Sequence, residues 1–446
     1  MLKVACFSLA PLYEDIVLGG SQTILNHIIF GLKKHGFLVR VFSPVTNNSS
    51  NAFIGDVKIE SILKLKDSFP SPFEVPLFDI NQLGETVNEI SSWADRIYLH
   101  GDGWILRKDF DDNQIISSIH DLIYQEAITS VYELPSNKII VPSQYLYDTI
   151  RGSLSEEKFN AKNLTIIENC ITNYSTNIKS NDSENLTLLF PHRPDPRKGL
   201  NLAIEIALEF SKMNHWNKVI LKVPKFNEIY DKDAKNSSKY DDDLYEEFIN
   251  NDGILLFHDW IPSNKMAEYY SSGDLTLCPG NFIESFGLVP LESVANLTPV
   301  LCSSVGSLRN YKNISGIEII PYADIKEFVR KGELLLKNKN IVNEGKEQIL
   351  KKFSLDKMIE KYILAITSPN KETKENFSFE YKLDFNNETY YLAPWCSIEN
   401  TKIYHDYYGW MDKFDDQIKI TSKNKIIIKN NLLKEALKER ILIQQS

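Results

Sequence analysis

Cysteine is scarce and scattered in this sequence. The five cysteines lie far apart, and no two of them form a Cys-x-x-Cys pair. An odd number of dispersed cysteines argues against a disulfide framework, and the missing pairs argue against a zinc site. We therefore predict a protein of the reducing cytoplasm. The apolar run that starts at residue 1 is too short for a signal peptide and predicts a first strand instead.

Long apolar runs and an excess of basic residues are also missing. No apolar stretch approaches the roughly 18 to 20 residues that span a bilayer. The 50 Lys and Arg residues are outnumbered by 60 Asp and Glu residues, which gives a net charge of -10. An acidic chain disfavours nonspecific binding to nucleic acid. We expect no nucleic-acid partner and at most a peripheral contact with a membrane.

Short β-branched runs alternate with amphipathic helical patterns up to about residue 365. This alternation is typical of parallel sheets covered by helices. A chain of 446 residues exceeds what one hydrophobic core usually supports. The polar stretch 173–185 lacks apolar periodicity and indicates an interdomain connection. We predict an α/β protein with two doubly wound domains, 1–178 and 179–367, and an accessory module of unknown role, 368–446.

Strands and helices of both domains follow from the same patterns. In the first domain we predict a helix over 20–36 and strands over 3–9, 38–43, 96–100, 114–120 and 138–142. In the second domain we predict helices over 199–213 and from about 287, and strands over 186–190, 218–223, 254–257, 275–278 and 300–303.

The densest motif follows the predicted strand 275–278 and consists of a short loop and the start of a helix. In doubly wound folds, ligands lie beyond the carboxyl ends of strands, where helix N-termini offer N–H groups to an anion. Glu284 in the loop and Glu292 in the helix can accept hydrogen bonds from hydroxyls on either side of such an anion. A glutamate pair alone is weak evidence, but Phe286 and Gly287 after the first glutamate strengthen it.

A second motif lies in the proline-stiffened loop 190–199. Arg193 and Lys198 are the cations of this loop that can be aimed at one point. Two such cations suit a departing diphosphate, whose growing negative charge they stabilise. The alternative is a basic loop that makes ordinary surface ion pairs.

Together, the Glu-x7-Glu run with Phe-Gly after its first glutamate and the preceding Arg-x4-Lys-Gly run resemble a known family. This is the large family of retaining GT-B glycosyltransferases, also called group 1, which includes sucrose synthases and lipopolysaccharide glycosyltransferases. The resemblance covers roughly 1–367. It also matches Gly19 and Gly20 after the first strand, His120 at a strand end, and Gly306 after a later strand. It implies a GT-B fold, in which two Rossmann-like domains face each other across a cleft, and leaves the tail as a small α+β appendage.

The resemblance also implies roles for individual residues. Glu292 would bind the ribose hydroxyls and Glu284 a hydroxyl of the donor sugar, while amides near Phe286 to Leu288 would bind the phosphate. The implied donor-binding residues are Gly19, Gly20, Arg193, Lys198, Glu284, Ser285, Phe286, Gly287, Leu288 and Glu292. The implied catalytic residues are His120 near the anomeric carbon, Glu284, Arg193 and Lys198.

Three positions depart from the family pattern. His192 and Asp259 replace usual glycines, and Ser307 replaces the second glycine of a usual pair. Each departure can alter how the donor base or phosphate is seated. The donor base therefore stays open among uridine, guanosine and another nucleotide base, with a UDP- or GDP-sugar as the expected donor.

We therefore expect a retaining hexosyltransferase that uses a nucleotide-diphosphate sugar as co-substrate. We expect no metal and no other cofactor, since no paired aspartates at metal-ligand spacing accompany the motif. The acceptor stays open among a glycan, a lipid-linked sugar, a metabolite and a protein. Three alternatives remain: a nucleotide-sugar epimerase, a phosphorylase with a lysine-bound pyridoxal cofactor, and a silent nucleotide-sugar-binding partner subunit.

The tail lies beyond the family pattern. Alternating residues predict a strand pair within 377–395 and a hairpin over 418–428, and helical spacing predicts a helix over 430–444. Such a basic amphipathic helix packs on its own module or lies on anionic lipid or a partner. Two uses stay open for the module: acceptor or partner binding, and dimerisation that would give a homodimer through 368–446.

Overall fold

The structure is a computed structural model. It describes residues 1–8, 12, 19–44, 53–63, 80–101, 114–121, 138–154, 163–172, 184–193, 195–225, 240–338, 340–369, 379, 381–399, 401–421 and 424–444. Among these residues, no helix is both long and apolar enough to cross a bilayer.

The first sheet has eight strands in the order β3-β4-β2-β1-β5-β6-β7-β8, and all neighbours are parallel except β3 and β4. Its strands are Lys3–Ser8 (β1), Leu38–Pro44 (β2), Phe53–Ile54 (β3), Val57–Leu63 (β4), Arg96–His100 (β5), Ile115–Ser118 (β6), Lys138–Val141 (β7) and Asn163–Ile166 (β8). The helices of this region are Gly20–Lys34 (α1), Ile80–Trp93 (α2) and Gln144–Ser153 (α3).

Successive residues of β1 pack into two different cores. Val4 and Cys6 belong to the core under α1, whereas Ala5 and Phe7 belong to the core on the other face of the sheet. Because both faces of the strand are buried, its sequence is continuously apolar. This is the doubly wound arrangement that the strand and helix rhythm predicts.

The second sheet is wholly parallel, with six strands in the order β11-β10-β9-β12-β13-β14. Its strands are Leu186–Leu189 (β9), Val219–Pro224 (β10), Gly253–His258 (β11), Leu275–Cys278 (β12), Val300–Ser303 (β13) and Ile317–Ile320 (β14). The helices around it are Leu200–Lys212 (α4), Asp242–Asn250 (α5), Met266–Tyr270 (α6), Leu288–Ala295 (α7), Ile325–Lys337 (α8) and Ile341–Lys352 (α9).

The next helix, Leu355–Thr367 (α10), returns to the first sheet. Its residues Ile359, Tyr362 and Ile366 belong to the same buried cluster as the apolar face of α1. Arg96 at the start of β5 donates a hydrogen bond of 3.0 Å from Nε to the backbone oxygen of Ile366. The end of the 179–367 segment is thus packed on the first sheet, because the apolar face of α10 meets the apolar face of α1.

The tail forms one small antiparallel module around a single buried cluster that includes Trp395, Ile403 and Phe414. Its strands are Lys382–Phe385 (β15), Glu388–Leu392 (β16), Cys396–Glu399 (β17), Lys402–His405 (β18), Gly409–Trp410 (β19), Ile418–Ile420 (β20), Ile426–Ile428 (β21) and Leu442–Gln444 (β22). The antiparallel pairs β15 with β16 and β20 with β21 confirm the predicted strand pair and hairpin.

The predicted helix 430–444 is wrong. Only Leu433–Lys438 (α11) is α-helical, and Arg440 adopts a positive φ of 57° that ends the helical path. The following Leu442–Gln444 pairs with β16, and Ile441 and Leu442 are fully buried. The apolar residues at the end of the run therefore complete a sheet, and the predicted amphipathic helix over 430–444 is not formed, either as one packed on its own module or as one lying on lipid or a partner.

Candidate active site

Two helices that follow central strands begin next to each other. α1 begins at Gly20 in the first domain, and α7 begins at Leu288 in the second. A Cβ added at Gly20 would meet the side-chain end of Leu288, so the starts of the two helices are in contact. Helix N-termini carry unpaired N–H groups and a partial positive charge. An anion bound here would face helix starts from both domains.

The loop between β12 and α7 rests on the loop that precedes α4. The amide of Phe282 donates to the backbone oxygen of Arg197 at 2.9 Å. Across this contact, Lys198 Nζ lies 3.5 Å from the centre of the Phe282 ring. This is a cation–π distance, and it restricts where the ammonium group can lie. The two sequence motifs therefore form one surface.

Lys198 and Glu284 form an ion pair in this surface. Lys198 Nζ donates to Glu284 Oε1 at 2.5 Å, and the side chains are only 11% and 23% exposed. Partial burial reduces solvent screening and strengthens the attraction. Arg193 is half-buried in the same loop, and its backbone oxygen accepts from the amide of Asp195 at 2.8 Å. The structure thus brings Lys198 and Glu284 of the two motifs together, and the predicted convergence of Arg193 and Lys198 on one point stays a prediction.

Gly306 holds the backbone of Glu284. The amide of Ser307 donates to Glu284 O at 2.9 Å, and a Cβ on Gly306 would lie 2.8 Å from that oxygen. Gly306 also has a φ of 58°, which L side chains rarely adopt. The glycine turn after β13 is therefore a structural support for the glutamate loop.

Phe286 fixes the loop to the core of the second domain. Its ring is 4% exposed and makes edge contacts with Tyr311 and Phe353. Its backbone oxygen accepts from the Tyr311 hydroxyl at 2.5 Å. The Phe286 side chain is thus an anchor, and only its backbone remains available to a ligand.

Glu292 lies in α7 with one hydrogen-bond donor beside it. The Tyr270 hydroxyl donates to Glu292 Oε2 at 2.9 Å. Burial raises the pKa of the Glu292 carboxyl, and the Tyr270 hydroxyl acts in the opposite direction. Sequence reasoning missed Tyr270, because a tyrosine at the end of the short helix α6 carries no spacing that points to α7.

Ser285 ties the glutamate loop to the first domain through two hydrogen bonds. Its hydroxyl donates to the backbone oxygen of His120, and Ser143 Oγ donates to its backbone oxygen at 2.5 Å. Ser143 also caps α3, since its hydroxyl accepts from the amide of Leu146. The loop that carries Glu284 is therefore in direct contact with the strand end that carries His120.

His120 packs against a second histidine that sequence reasoning missed. The ring centres of His100 and His120 are 4.4 Å apart. His100 in turn contacts Ser21 Oγ at 2.8 Å and the Tyr98 hydroxyl at 2.9 Å. The available signal was a histidine at the end of buried strand β5, next to the strand that ends before His120.

Both imidazoles are neutral at neutral pH. Burial lowers the pKa of His120 to about 4 and lowers the pKa of His100 well below its usual value. His120 Nε2 is enclosed and has no hydrogen-bond partner among the described residues. A buried polar atom without a partner is costly, so a ligand group at this point would be favoured.

The substitution at His192 has a structural explanation. Its Nε2 contacts Leu277 O at 3.0 Å, and its ring packs against Phe190 at 4.8 Å between centres. The ring thus fills the space beside β12. At the second departure, Asp259 O contacts His258 Nδ1 at 2.8 Å.

Across the described ranges, no group of three or more His, Cys, Asp or Glu residues is arranged to hold a metal ion.

The fold and the position of this cleft define the class of protein. Two parallel α/β domains, with helix starts and loops meeting between them, form a GT-B fold, as the resemblance implies. Residues 174–352 match the family model described as glycosyl transferases group 1. This match confirms the resemblance over that segment of the chain.

Known glycosyltransferases are similar to this chain in sequence or in fold. Lipopolysaccharide 1,2-N-acetylglucosaminetransferase from Salmonella typhimurium is 24% identical over 246 residues, which are 52% of this chain and 62% of that protein. The matches span less than two thirds of the curated relatives' length. Sucrose-phosphate synthase from Thermosynechococcus elongatus has a TM-score of 0.63 and 16% identity, over 82% of this chain and 99% of that one. HepE from Anabaena, solved with UDP and glucose, has a TM-score of 0.59 and 13% identity, over 82% and 100%.

Proposed function

We propose that the chain is a retaining, metal-independent glycosyltransferase that moves a hexose from a nucleotide-diphosphate sugar to an acceptor hydroxyl. The observation that carries this proposal is the Lys198–Glu284 ion pair beside the adjoining starts of α1 and α7. A cation, a carboxylate and two helix N-termini at one place match a phosphorylated sugar, which has an anionic end and a hydroxyl-bearing end.

The leaving diphosphate would be held without a metal ion. A lysine has three N–H donors, and Glu284 occupies one of them in the structure. The others would donate to phosphate oxygens, as would backbone amides at the start of α7 and the guanidinium of Arg193. Fixed donors aimed at developing negative charge act as a metal ion does in other enzymes.

The nucleoside end would be bound at Glu292. Ribose hydroxyls are donors, and a carboxylate is a strong acceptor for them. Tyr270 already occupies one oxygen of Glu292, which leaves the other for a ligand and orients the group. Because the structural neighbour HepE was solved with UDP and glucose, we propose a UDP-sugar and not a GDP-sugar as the donor of this chain.

His120 would contact a sugar hydroxyl near the anomeric carbon. Its low pKa keeps it uncharged, so it serves as a hydrogen-bond partner through the enclosed Nε2. The acceptor hydroxyl would attack from the face that the phosphate leaves, and its proton would pass to the departing phosphate. This same-face route retains the anomeric configuration.

The direct test is release of nucleotide diphosphate from UDP-glucose, UDP-galactose, UDP-N-acetylglucosamine and GDP-mannose, with and without sugar acceptors. We expect release from a UDP-sugar that continues in EDTA. No release from any donor would contradict the enzyme proposal, and nucleotide binding without release would favour the silent partner subunit. Loss of activity in EDTA that Mg²⁺ or Mn²⁺ restores would overturn metal independence. NMR of the product would overturn retention if the anomeric configuration were inverted.

A thermal-shift screen with UDP and GDP identifies the base separately. A ligand at 100 times its dissociation constant adds about 2.7 kcal/mol to stability. We expect UDP to raise the unfolding temperature more than GDP does at the same concentration. The opposite order would assign a guanosine donor.

A further inference from the structure

One carboxylate of the C-terminal module lies between both larger domains. Asp406 Oδ2 accepts from the Tyr145 hydroxyl of α3 at 2.8 Å. Its Oδ1 pairs with the Arg309 guanidinium and accepts from the amide of Gly306 at 3.4 Å. Tyr145 belongs to the first domain, whereas Arg309 and Gly306 belong to the second. The turn that follows β18 is therefore fastened to both.

Arg309 restricts the position of this turn through further hydrogen bonds. Besides Asp406, its guanidinium donates to Ser304 O at 3.1 Å and to Pro394 O at 3.0 Å. Asp406 is only 6% exposed, and burial raises the pKa of its carboxyl while Arg309 opposes that rise. Breaking one partner of such a buried pair leaves an uncompensated charge, which is strongly unfavourable.

The fastened turn lies beside the candidate active site. Gly306, which donates to Asp406, also packs against the backbone of Glu284. On the other side, Tyr145, which donates to Asp406, follows Ser143, the cap of α3 that donates to the backbone oxygen of Ser285. The turn thus lies at the edge of the cleft, where the loop that carries Glu284 contacts the first domain.

This turn presents two neighbouring aromatic side chains to solvent. Tyr407 is 51% exposed and Tyr408 is 66% exposed, and they are the only tyrosines among the exposed large hydrophobic residues of the described chain. The Tyr408 ring stacks on His405 with centres 4.4 Å apart and planes 28° apart. His405 Nδ1 in turn accepts from the amide of Tyr407 at 3.1 Å. One face of Tyr408 is therefore supported while the side chain remains accessible.

We propose that Tyr407 and Tyr408 form a subsite for the acceptor sugar at the His120 side of the cleft. This inference rests on the proposed glycosyltransferase function and adds a residue-level site for its acceptor. A sugar ring has an apolar C–H face and hydroxyl edges, and a tyrosine offers an apolar ring and a hydroxyl. Asp406 already holds the turn in place, and Tyr408 already stacks on His405. The turn therefore loses little conformational entropy when a sugar binds.

The test uses saturation-transfer NMR with the full chain in the presence of UDP. The probe is a mixture of the methyl glycosides of glucose, galactose, mannose and N-acetylglucosamine. We expect sugar binding to weaken roughly three- to tenfold in Tyr408→Ala and in Tyr407→Ala, the size of a lost aromatic stacking contact. Tyr408→Phe should retain most of the binding, since it keeps the ring. Ile427→Ala is the matched control, because Ile427 is 57% exposed in the same module.

UDP binding, followed by thermal shift in the same samples, separates this inference from the proposed function. Unchanged UDP binding with weaker sugar binding in the two alanine variants supports the subsite. Sugar binding that is equal in wild type and both alanine variants overturns it, as does a wild type that binds none of the four glycosides. A wild type that binds the glycosides at these tyrosines but binds no nucleotide keeps the subsite and contradicts the proposed function instead.

Discussion

Lys198 Nζ lies 2.5 Å from Glu284 Oε1, although the two residues are 86 positions apart in the chain. The pair exists because β9 and β12 are neighbours in the second sheet, so the loops that leave their carboxyl ends meet. The Phe282 ring lies beneath the ammonium group, and the Gly306 turn packs behind Glu284. These two contacts restrict the positions of both partners. The site is therefore preorganised before a donor arrives.

Replacement of Lys198 tests whether this ammonium group stabilises the leaving diphosphate. We expect Lys198→Ala to lower kcat for nucleotide release by about 100-fold, as removal of one donor from a charge-developing site does elsewhere. Lys212→Ala is the control, because Lys212 ends the helix after the same loop and, among the described residues, pairs with the surface carboxylates Glu209 and Glu247. A Lys198→Ala enzyme as fast as the Lys212→Ala enzyme would contradict the role.

The Lys198 and Glu284 contact was predictable because each residue sits in a loop directly after a recognisable strand. In a parallel α/β sheet, the loops that follow the strands lie at the same edge of the sheet, so residues far apart in sequence come close together there. Phe286 and Gly287 were found by the same pattern, although the Phe286 ring proves to be a core anchor. Local patterns thus identify which loops meet, but they do not say which side chain faces the ligand.

Contacts made by residues without a local pattern were not predictable. Tyr270 reaches Glu292 only because α6 packs beside α7, and His100 reaches His120 only because their strands are neighbours. Asp406 meets Tyr145 across 261 positions of sequence. The predicted helix 430–444 is wrong for a related reason: the apolar spacing of the run fits a helix throughout, but pairing with β16 makes its last residues, Leu442–Gln444, a strand. Tertiary partners decide such cases.

Gly306 should control donor affinity through the position of Glu284. In Gly306→Ala, the new Cβ would lie 2.8 Å from Glu284 O and the positive φ would be strained. We expect the KM for the donor to rise and stability to fall by about 1 kcal/mol or more. Kinetics with varied UDP-sugar and a urea unfolding curve measure the two effects.

Gly36→Ala separates strain from contact. Gly36 also has a positive φ, of 84°, but a Cβ there would meet nothing within 4 Å. We expect this variant to lose stability and to keep the donor KM of the wild type. If both glycine variants kept that KM, the Gly306 turn would have no part in seating the donor.

Tyr270 should set the pH range in which Glu292 binds ribose. Burial raises the Glu292 pKa, and the Tyr270 hydroxyl lowers it, so Tyr270→Phe should raise the pKa further. A carboxylate accepts ribose hydroxyls only when it is deprotonated, so affinity falls as pH drops through this pKa. We expect the acid limb of UDP affinity to move upward by about one pH unit, which corresponds to the loss of one hydrogen bond to a charged group.

Tyr269→Phe is the matched control for that experiment. The Tyr269 hydroxyl is enclosed in the adjacent position and has no hydrogen-bond partner within the described part of the chain. Its removal should leave the pH dependence of UDP binding as in wild type. Equal curves for Tyr270→Phe and Tyr269→Phe would show that the Glu292 carboxylate does not govern nucleotide binding.

His120 should make the folded protein sensitive to mild acid. Its pKa is about 4 in the folded chain, below the ordinary value of 6.5, because burial disfavours the charged ring. The unfolded chain therefore binds the extra proton first, and stability that is complete above pH 6.5 is lost as pH falls toward 4. The full difference is about 3 kcal/mol for a shift of this size.

Because burial also lowers the pKa of His100 and of His405, the informative quantity is how far the His120 mutation changes the slope of stability against pH. Urea midpoints at pH 7 and pH 4.5 should differ less in His120→Asn than in wild type, whereas His215→Asn, at an exposed site, should keep the wild-type difference. A His120→Asn slope equal to that of wild type would mean that the ring is not held neutral by burial.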